Sequence, residues 1–254
     1  GETIMITLKS AQEIEKLKAV GALVAECHKE IARMIRPGVS TWDIEELVDD
    51  KLTRAGARAY TKGYKGYKYA TCASVNDVIA HGFPNKTPLK NGDLVKIDIV
   101  AQLDGWVGDS AWCYGVGELS PEAQKLMRVT KECLDIGISQ AVVGNRIGDA
   151  MNALQKHAEA QGFSLVRDLA AHGVGQELHE EPTFIHVGTP GKGFRFKEGM
   201  VFTIEPMVNA GTWRMTIDPD GWTCRTADGK LSAQFEHTIA ITKDGPLILT
   251  DQGI

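Results

Sequence analysis

No stretch of this 254-residue chain is apolar for long enough to cross a membrane, and the opening Gly1-Glu2-Thr3-Ile4-Met5 lacks the hydrophobic segment of a secretory signal. Met5 reads as the native start, which makes residues 1–4 an expression remnant. The five cysteines (Cys27, Cys72, Cys113, Cys133 and Cys224) form no Cys-x-x-Cys pair and are odd in number. That argues against a disulfide framework and for a reducing compartment, so each cysteine reads as a small buried hydrophobe and the chain as cytoplasmic. There is no basic tract and no aromatic-rich basic motif, and a net charge of −5 offers no general attraction to nucleic acid or to an anionic membrane. No low-complexity linker divides the chain, so residues 5–254 are expected to form one domain. A hydrophobic content of 43% is enough to give a domain of that size a substantial core.

What the chain does contain is a repeat of itself. Lys90-Asn91-Gly92-Asp93-Leu94-Val95-Lys96-Ile97-Asp98 aligns without a gap on Lys197-Glu198-Gly199-Met200-Val201-Phe202-Thr203-Ile204-Glu205, an offset of 107 residues. Each copy is a Lys-x-Gly turn, then an apolar run with β-branched residues, then an acid, which is the pattern of a strand that delivers a carboxylate. An Ala-His-Gly triplet stands upstream of each, Ala80-His81-Gly82 and Ala171-His172-Gly173. The helices repeat as well. Ser10 with Glu13 forms a capping box for a helix over 10–33, which Pro37-Gly38 ends, and Thr41 is the expected cap of a second helix reaching Gly56. Ser120-Pro121 opens a third helix, and a fourth runs from Ile147 to Gly162. Gly38, Asp43 and Gly56 recur as Gly144, Asp149 and Gly162 at an offset of 106. The expectation is an α+β unit of two pseudo-repeats, about 10–115 and 120–245, with helices over one side of a shared curved antiparallel sheet and a cleft on the other.

The acids have a register. Asp104-Gly105 is a strong two-residue hairpin signal. With that loop Val100 faces Asp109 and Asp98 faces Ala111, so Asp98 and Asp109 share a face of adjacent strands, diagonally opposed at roughly 7–8 Å between Cα atoms. Glu205 and Glu236 also interrupt strand-like runs, where an unpaired charge costs several kcal/mol unless it pairs or ligates. With His172 the set is four carboxylates and one imidazole. Two divalent cations would neutralise it, and an oxygen-rich shell with one nitrogen suits manganese, iron, cobalt or zinc. Two such ions sharing a water provide both a nucleophile and a Lewis acid.

The remaining histidines divide. His28 and His157 fall in helices and read as packing or surface residues, His186 has no supporting neighbours, and strand alternation turns His237 away from Glu236. His179 lies in His172-Gly173-Val174-Gly175-Gln176-Glu177-Leu178-His179-Glu180-Glu181-Pro182, whose glycines would let backbone approach a ligand. Glu180 and Glu181, flanking Pro182, read as structural rather than as ligands.

At these residues the chain resembles the methionine aminopeptidases, in particular the short bacterial type I form, along nearly its whole length from Met5. The resemblance rests on Asp98 and Asp109, on His172-Gly-x-Gly, on His179-Glu-Glu-Pro, on Thr203-Ile204-Glu205-Pro206 and on Gln234-x-Glu236-His237-Thr238. It implies the pita-bread fold of creatinase and the aminopeptidases. Neither a zinc-finger extension nor a long insertion in the second half is expected. It also implies a dinuclear metal centre in which Asp98 chelates one ion, Asp109 and Glu236 bridge both, and His172 and Glu205 complete the second. A water shared by the two ions would attack the scissile carbonyl, with Glu205 as general base, His179 on the carbonyl oxygen and His81 at the departing amide.

By the same resemblance, Tyr64, Tyr67, Cys72, Leu178 and Trp222 would line a methionine pocket. Leu178 stands where the family often has Phe, and Thr61 where a second Cys can occur. Asn76, Val78 and Ser232 match a monovalent-cation site for sodium or potassium. The implied activity is removal of the initiator methionine from peptides and nascent chains with a small second residue, by a monomer that contacts the ribosome transiently. Two rivals stand beside it. One is an X-Pro aminopeptidase or prolidase with the same five ligands; Cys72 and the lack of a large extra domain weigh against it. The other is an inactive relative serving as a binding module, which the retention of all five ligands opposes.

Overall fold

In the computed structural model, which describes residues 5–254, the Asp104-Gly105 turn joins two ten-residue strands, Leu94–Leu103 and Trp106–Gly115. Both turn residues take positive φ, 51° and 84°, as a tight hairpin with right-handed twist requires. The ladder pairs Val100 with Asp109 and Asp98 with Ala111, the expected register. Strand Leu94–Leu103 also pairs with Arg58–Ala59 and Thr71–Val75, which completes the sheet of the first half. The reading of residues 1–4 lies outside the described residues.

The second half centres on strand Val201–Ile204 in a five-stranded sheet ordered Gly245–Ile248, His237–Thr242, Val201–Ile204, Ala171–Gly173, Glu180–Phe184. Two three-stranded sheets flank it. One joins Ser232–Gln234, Met207–Asn209 and Ser164–Leu165; the other joins Met215–Ile217, Cys224–Thr226 and Val78–Ala80. The halves meet along a seam. The Glu236 N–H donates to the Ala111 carbonyl at 2.8 Å, the Ser110 hydroxyl to the Glu236 carbonyl at 2.7 Å, and the Thr238 hydroxyl to the Asp109 carbonyl at 2.6 Å. Two carboxylate-bearing residues, Asp109 and Glu236, therefore belong to one hydrogen-bonded junction.

Helices α1 (Ala11–Met34) and α2 (Thr41–Arg54) pack on the sheet of the first half, and α3 (Pro121–Ser139) and α4 (Ile147–Ala160) chiefly on the sheet of Ser232–Gln234, Met207–Asn209 and Ser164–Leu165. Ser10 and Ser120 cap α1 and α3 as expected. The cap of α2 differs: Ser40, not Thr41, accepts the Asp43 N–H, because Thr41 is already helical and its hydroxyl donates to the Asn85 carbonyl. The repeated aspartates have one job. Asp43 accepts the Ser40 N–H at 2.9 Å and Asp149 the Arg146 N–H at 2.7 Å, each satisfying an amide that the first turn leaves free. Gly56 and Gly162 close the following turns with φ of 74° and 84°.

A continuous apolar cluster joins the halves, with Ile97, Ile99 and Val107 from one and Phe202, Ile204 and Ile239 from the other, all fully buried. Each such side chain contributes roughly 1.5–3 kcal/mol of burial. The seam is thereby stiff enough to hold side chains from both halves in register.

Candidate metal centre

The side of the sheets away from the helices opens into a cavity of about 540 Å³. Asp98, Asp109, His172 and Glu205 line its floor, and Glu236 lies fully buried beneath. Ligand atoms of Asp109, His172, Glu205 and Glu236 all lie within 4.8 Å of one another. Asp98 stands beside this group rather than within it, next to Asp109 on the cavity floor. Two elements of the first half and three of the second supply these residues: the paired strands of the hairpin, then strand Ala171–Gly173 with the segments that follow Val201–Ile204 and Ser232–Gln234.

The imidazole is aimed by its neighbours. The Nδ1–H of His172 donates to the Gly173 carbonyl at 3.0 Å, which leaves Nε2 facing the acids, 3.3 Å from Asp109 Oδ2. The His172 N–H donates to the Thr203 hydroxyl at 3.2 Å, so the strand that delivers Glu205 also positions this ring. Glu205 is held in turn by its own N–H, which donates to His186 Nε2 at 3.0 Å. That corrects the reading of His186 as unsupported. It is a fully buried ring, kept neutral by burial, with its value pushed down to about 3.

The electrostatics of the floor call for positive charge. Burial raises Asp98 well above the usual carboxylate range, and the charges of Asp109 and Glu205 add to it. Burial likewise pushes Glu205 up to about 8, opposed by His172 and reinforced by Asp109. His172 moves the other way to its burial: the ring's desolvation is outweighed by the Asp109 hydrogen bond and the Glu205 charge, which lift it to about 9. Asp98 Oδ1, Asp109 Oδ1 and both Glu236 oxygens are buried with no hydrogen-bond partner. Orphaned carboxylate oxygens of this kind are costly alone and well suited as ligands. The donor set, oxygen-rich with one nitrogen, fits first-row divalent ions.

The remaining residues expected at the site all reach the cavity. Tyr64, Tyr67, Cys72, His81, Leu178, His179 and Trp222 line it, together with Thr61, Met207 and Gln234. Tyr67 and Trp222 meet edge to face at 5.1 Å, and the Tyr67 hydroxyl donates to the Thr71 carbonyl at 2.7 Å. Cys72 pairs directly opposite Asp98 in the ladder, and burial, then the Asp98 charge, keeps its thiol protonated. Its strand is anchored from α2 by Glu45, which accepts from the Ala70 N–H at 2.7 Å and the Thr71 N–H at 2.9 Å. His179 sits at the mouth, 4.4 Å from the His172 ring, with Nδ1 2.9 Å from the Tyr64 hydroxyl. Enclosure by the cleft and the nearby His172 push it down to about 4, so it stays neutral. His81 is also lowered by burial, on a backbone with φ of 61°.

Two expectations need correction. The glycines after His172 do not open space for a ligand: a Cβ at Gly173 would strike the Glu181 carbonyl, and one at Gly175 the Glu180 carboxylate. They allow the returning strand Glu180–Phe184 to pack closely. Of the residues matched to a monovalent-cation site, the carbonyls of Asn76 and Ser232 already accept hydrogen bonds from the Lys96 ammonium, at 2.9 and 2.7 Å. Nothing local in the sequence marks Met207 for the cavity wall or Lys96 for these carbonyls.

A cleft floored by acids and an imidazole from both halves of the chain is the build of a metal-dependent hydrolase. The model of metallopeptidase family M24 matches residues 15–243, and the chain belongs to that family. It is 47% identical over 251 residues to methionine aminopeptidase A of Synechocystis sp., covering 98% of each chain. Its fold matches the crystal structure of methionine aminopeptidase from Thermotoga maritima with a TM-score of 0.95 at 45% identity, over 97% of this chain and 100% of that one. The prolidase of Pyrococcus furiosus shares the pita-bread α+β fold alone: its TM-score is 0.76 at 21% identity, with 96% of this chain and 65% of that one covered. Among the described residues no helix is long and apolar enough to cross a membrane, and all five cysteines are free.

Proposed function

We propose that this metallopeptidase removes N-terminal methionine from peptides and nascent chains whose second residue is small, such as Gly, Ala or Ser. The observation that carries this reading is the gathering of Asp109, His172, Glu205 and Glu236 within 4.8 Å at the floor of a cavity walled by Tyr67, Cys72, Leu178 and Trp222. A site for two divalent ions (cobalt, manganese, iron or zinc) beneath an apolar slot favours an unbranched thioether side chain with a free amine beside it. The likeness to methionine aminopeptidases supports the same choice over the X-Pro enzymes.

Asp98 would hold one ion, Asp109 and Glu236 both, and His172 and Glu205 the second. Bound there, the ions would supply a water of lowered pKa and a Lewis acid for the substrate carbonyl. Glu205 takes the proton of the attacking water and passes it toward the departing amine. The neutral His179 donates a hydrogen bond to the carbonyl oxygen as charge develops there, with the Tyr64 hydroxyl setting its orientation. His81, held against Trp222 with ring centroids 6.3 Å apart, contacts the amide nitrogen beyond the scissile bond. Tyr67, Cys72 and Leu178 exclude water from the methionine side chain. The setting we infer is a cytoplasmic monomer that meets chains as they leave the ribosome. Sodium or potassium at Asn76, Val78 and Ser232 is not part of this reading, since the Lys96 ammonium holds two of those carbonyls.

Turnover of Met-Ala-Ser, Leu-Ala-Ser and X-Pro peptides in the presence of defined manganese, cobalt or iron tests this reading. Selective release of methionine is expected. Preferential cleavage of X-Pro bonds, or no hydrolysis with any of these metals, would overturn it.

A further inference from the structure

Lys96 is one of the largest fully buried side chains among the described residues, at 2% exposure, near the start of strand Leu94–Leu103 and two residues before Asp98. Among the described residues its ammonium pairs with no carboxylate. Its partners are main-chain carbonyls, Asn76 at 2.9 Å and Ser232 at 2.7 Å. Burying a lone ammonium opposes folding unless dipoles are fixed around it, and these are fixed. Asn76 turns the chain with a φ of 55°, its side chain accepting from the Leu94 N–H at 2.9 Å and donating to Asp93 at 3.0 Å. The Ser232 N–H donates to the same Asn76 carbonyl at 3.1 Å, and the Ser232 hydroxyl to Asn209 at 2.7 Å.

Oriented carbonyls around one positive charge are what a desolvated monovalent ion requires, and an ammonium on them leaves no room for a second cation. We propose that Lys96 is a built-in monovalent cation, taking the place of a dissociable sodium or potassium ion at the Asn76 and Ser232 carbonyls. The tether has a consequence for the metal centre, which rests on the functional reading above. Asn76 belongs to the first half and Ser232 to the second, and Ser232 begins the strand that leads to Glu236. Lys96 thus fixes the approach to Glu236 relative to Asp98 on its own strand. The equivalent position in the second copy, Thr203, is also tied to main chain, its hydroxyl accepting from the His172 N–H at 3.2 Å.

The test compares Tm in choline, sodium and potassium chloride at equal ionic strength, on protein freed of divalent ions. The wild type is expected to melt at the same temperature in all three. Lys96→Ala, which exposes both carbonyls to an empty space, should melt lower in choline and recover in sodium, potassium or methylammonium chloride. Lys96→Met, which fills that space, should not recover. Divalent-ion affinity of the alanine variant should fall roughly tenfold in choline and return with the monovalent ion, as for other groups that support metal ligands from behind. If the alanine variant does not fold in choline, its refolding yield in potassium against choline gives the same answer. A wild-type Tm that rises with sodium or potassium, an alanine variant indifferent to the cation, or a rubidium anomalous peak at these carbonyls in wild-type crystals would overturn the proposal. The Tm comparison needs no peptidase turnover, so failure here is distinct from failure of the functional reading.

Discussion

His172 and Asp109 meet across the seam between the two halves, Nε2 to Oδ2 at 3.3 Å. Neither half alone can form that contact, and two more acids crowd it. A divalent ion bound there therefore couples to folding of the whole seam. Chelation should abolish activity and lower Tm, and restoring manganese or cobalt should reverse both. Differential scanning fluorimetry across a metal titration would show this; a Tm indifferent to chelator and metal would count against the cluster as a metal site.

Glu205→Gln should fold, because the His186 contact is to the backbone N–H rather than to the carboxylate. Turnover should fall by at least roughly three orders of magnitude, since both a ligand and the base are altered. Steady-state kinetics beside a circular-dichroism melt would separate the two effects. Near-wild-type turnover would contradict the assignment.

The histidines at the cavity wall should behave differently from the ligands. His81→Ala should lower turnover while divalent metal content, read by mass spectrometry, stays at the wild-type level. Tyr64→Phe removes the hydroxyl beside His179 Nδ1 and should reduce kcat by roughly tenfold with KM little changed. A metal-free His81 variant would show that the ring has been given the wrong role.

Cys72 lies directly opposite Asp98, so its side chain shares the face that lines the cavity. Cys72→Ser places a hydroxyl in an apolar wall, so the preference for methionine over leucine should shift by roughly tenfold with metal affinity unchanged. Paired peptide kinetics and titration calorimetry would check this, and an altered metal affinity with unaltered preference would contradict it.

Acid should destabilise the fold partly through His28, which does not line the cavity. Its Nε2–H donates to the Ser110 carbonyl at 2.9 Å and Nδ1 accepts from the Tyr114 hydroxyl at 2.7 Å, fully buried on the inner face of α1. Burial pushes the folded imidazole down to about 4. Unfolded, it titrates near 6.5, so between these values the unfolded chain binds the extra proton. The stability His28 contributes is full above about pH 6.5 and is lost toward pH 4, roughly 3 kcal/mol over that window. Urea midpoints of wild type and His28→Gln should converge as pH falls through this range. Parallel slopes would disprove the contribution.

Legibility in the sequence followed the distance over which each signal acts. The Asp98–Asp109 register was readable because a two-residue Asp-Gly turn dictates the pairing of both strands. Ser10 and Ser120 were readable because a capping interaction spans three residues. Ser40 and Thr41 are adjacent and equally able to cap; the choice depends on Asn85, 44 residues away. His186 and Lys96 were missed for the same reason, since their partners Glu205 and Ser232 lie 19 and 136 residues distant. Gly173 and Gly175 suggested ligand space because nothing local reveals that Glu180 and Glu181 fold back onto them.

Diffraction from manganese-loaded crystals on either side of the manganese absorption edge tests the central claim most directly. The account predicts two anomalous peaks on the cavity floor, both touched by Asp109 and Glu236, one also by Asp98 and the other by His172 and Glu205. A single peak elsewhere, or none among these five side chains, would contradict it.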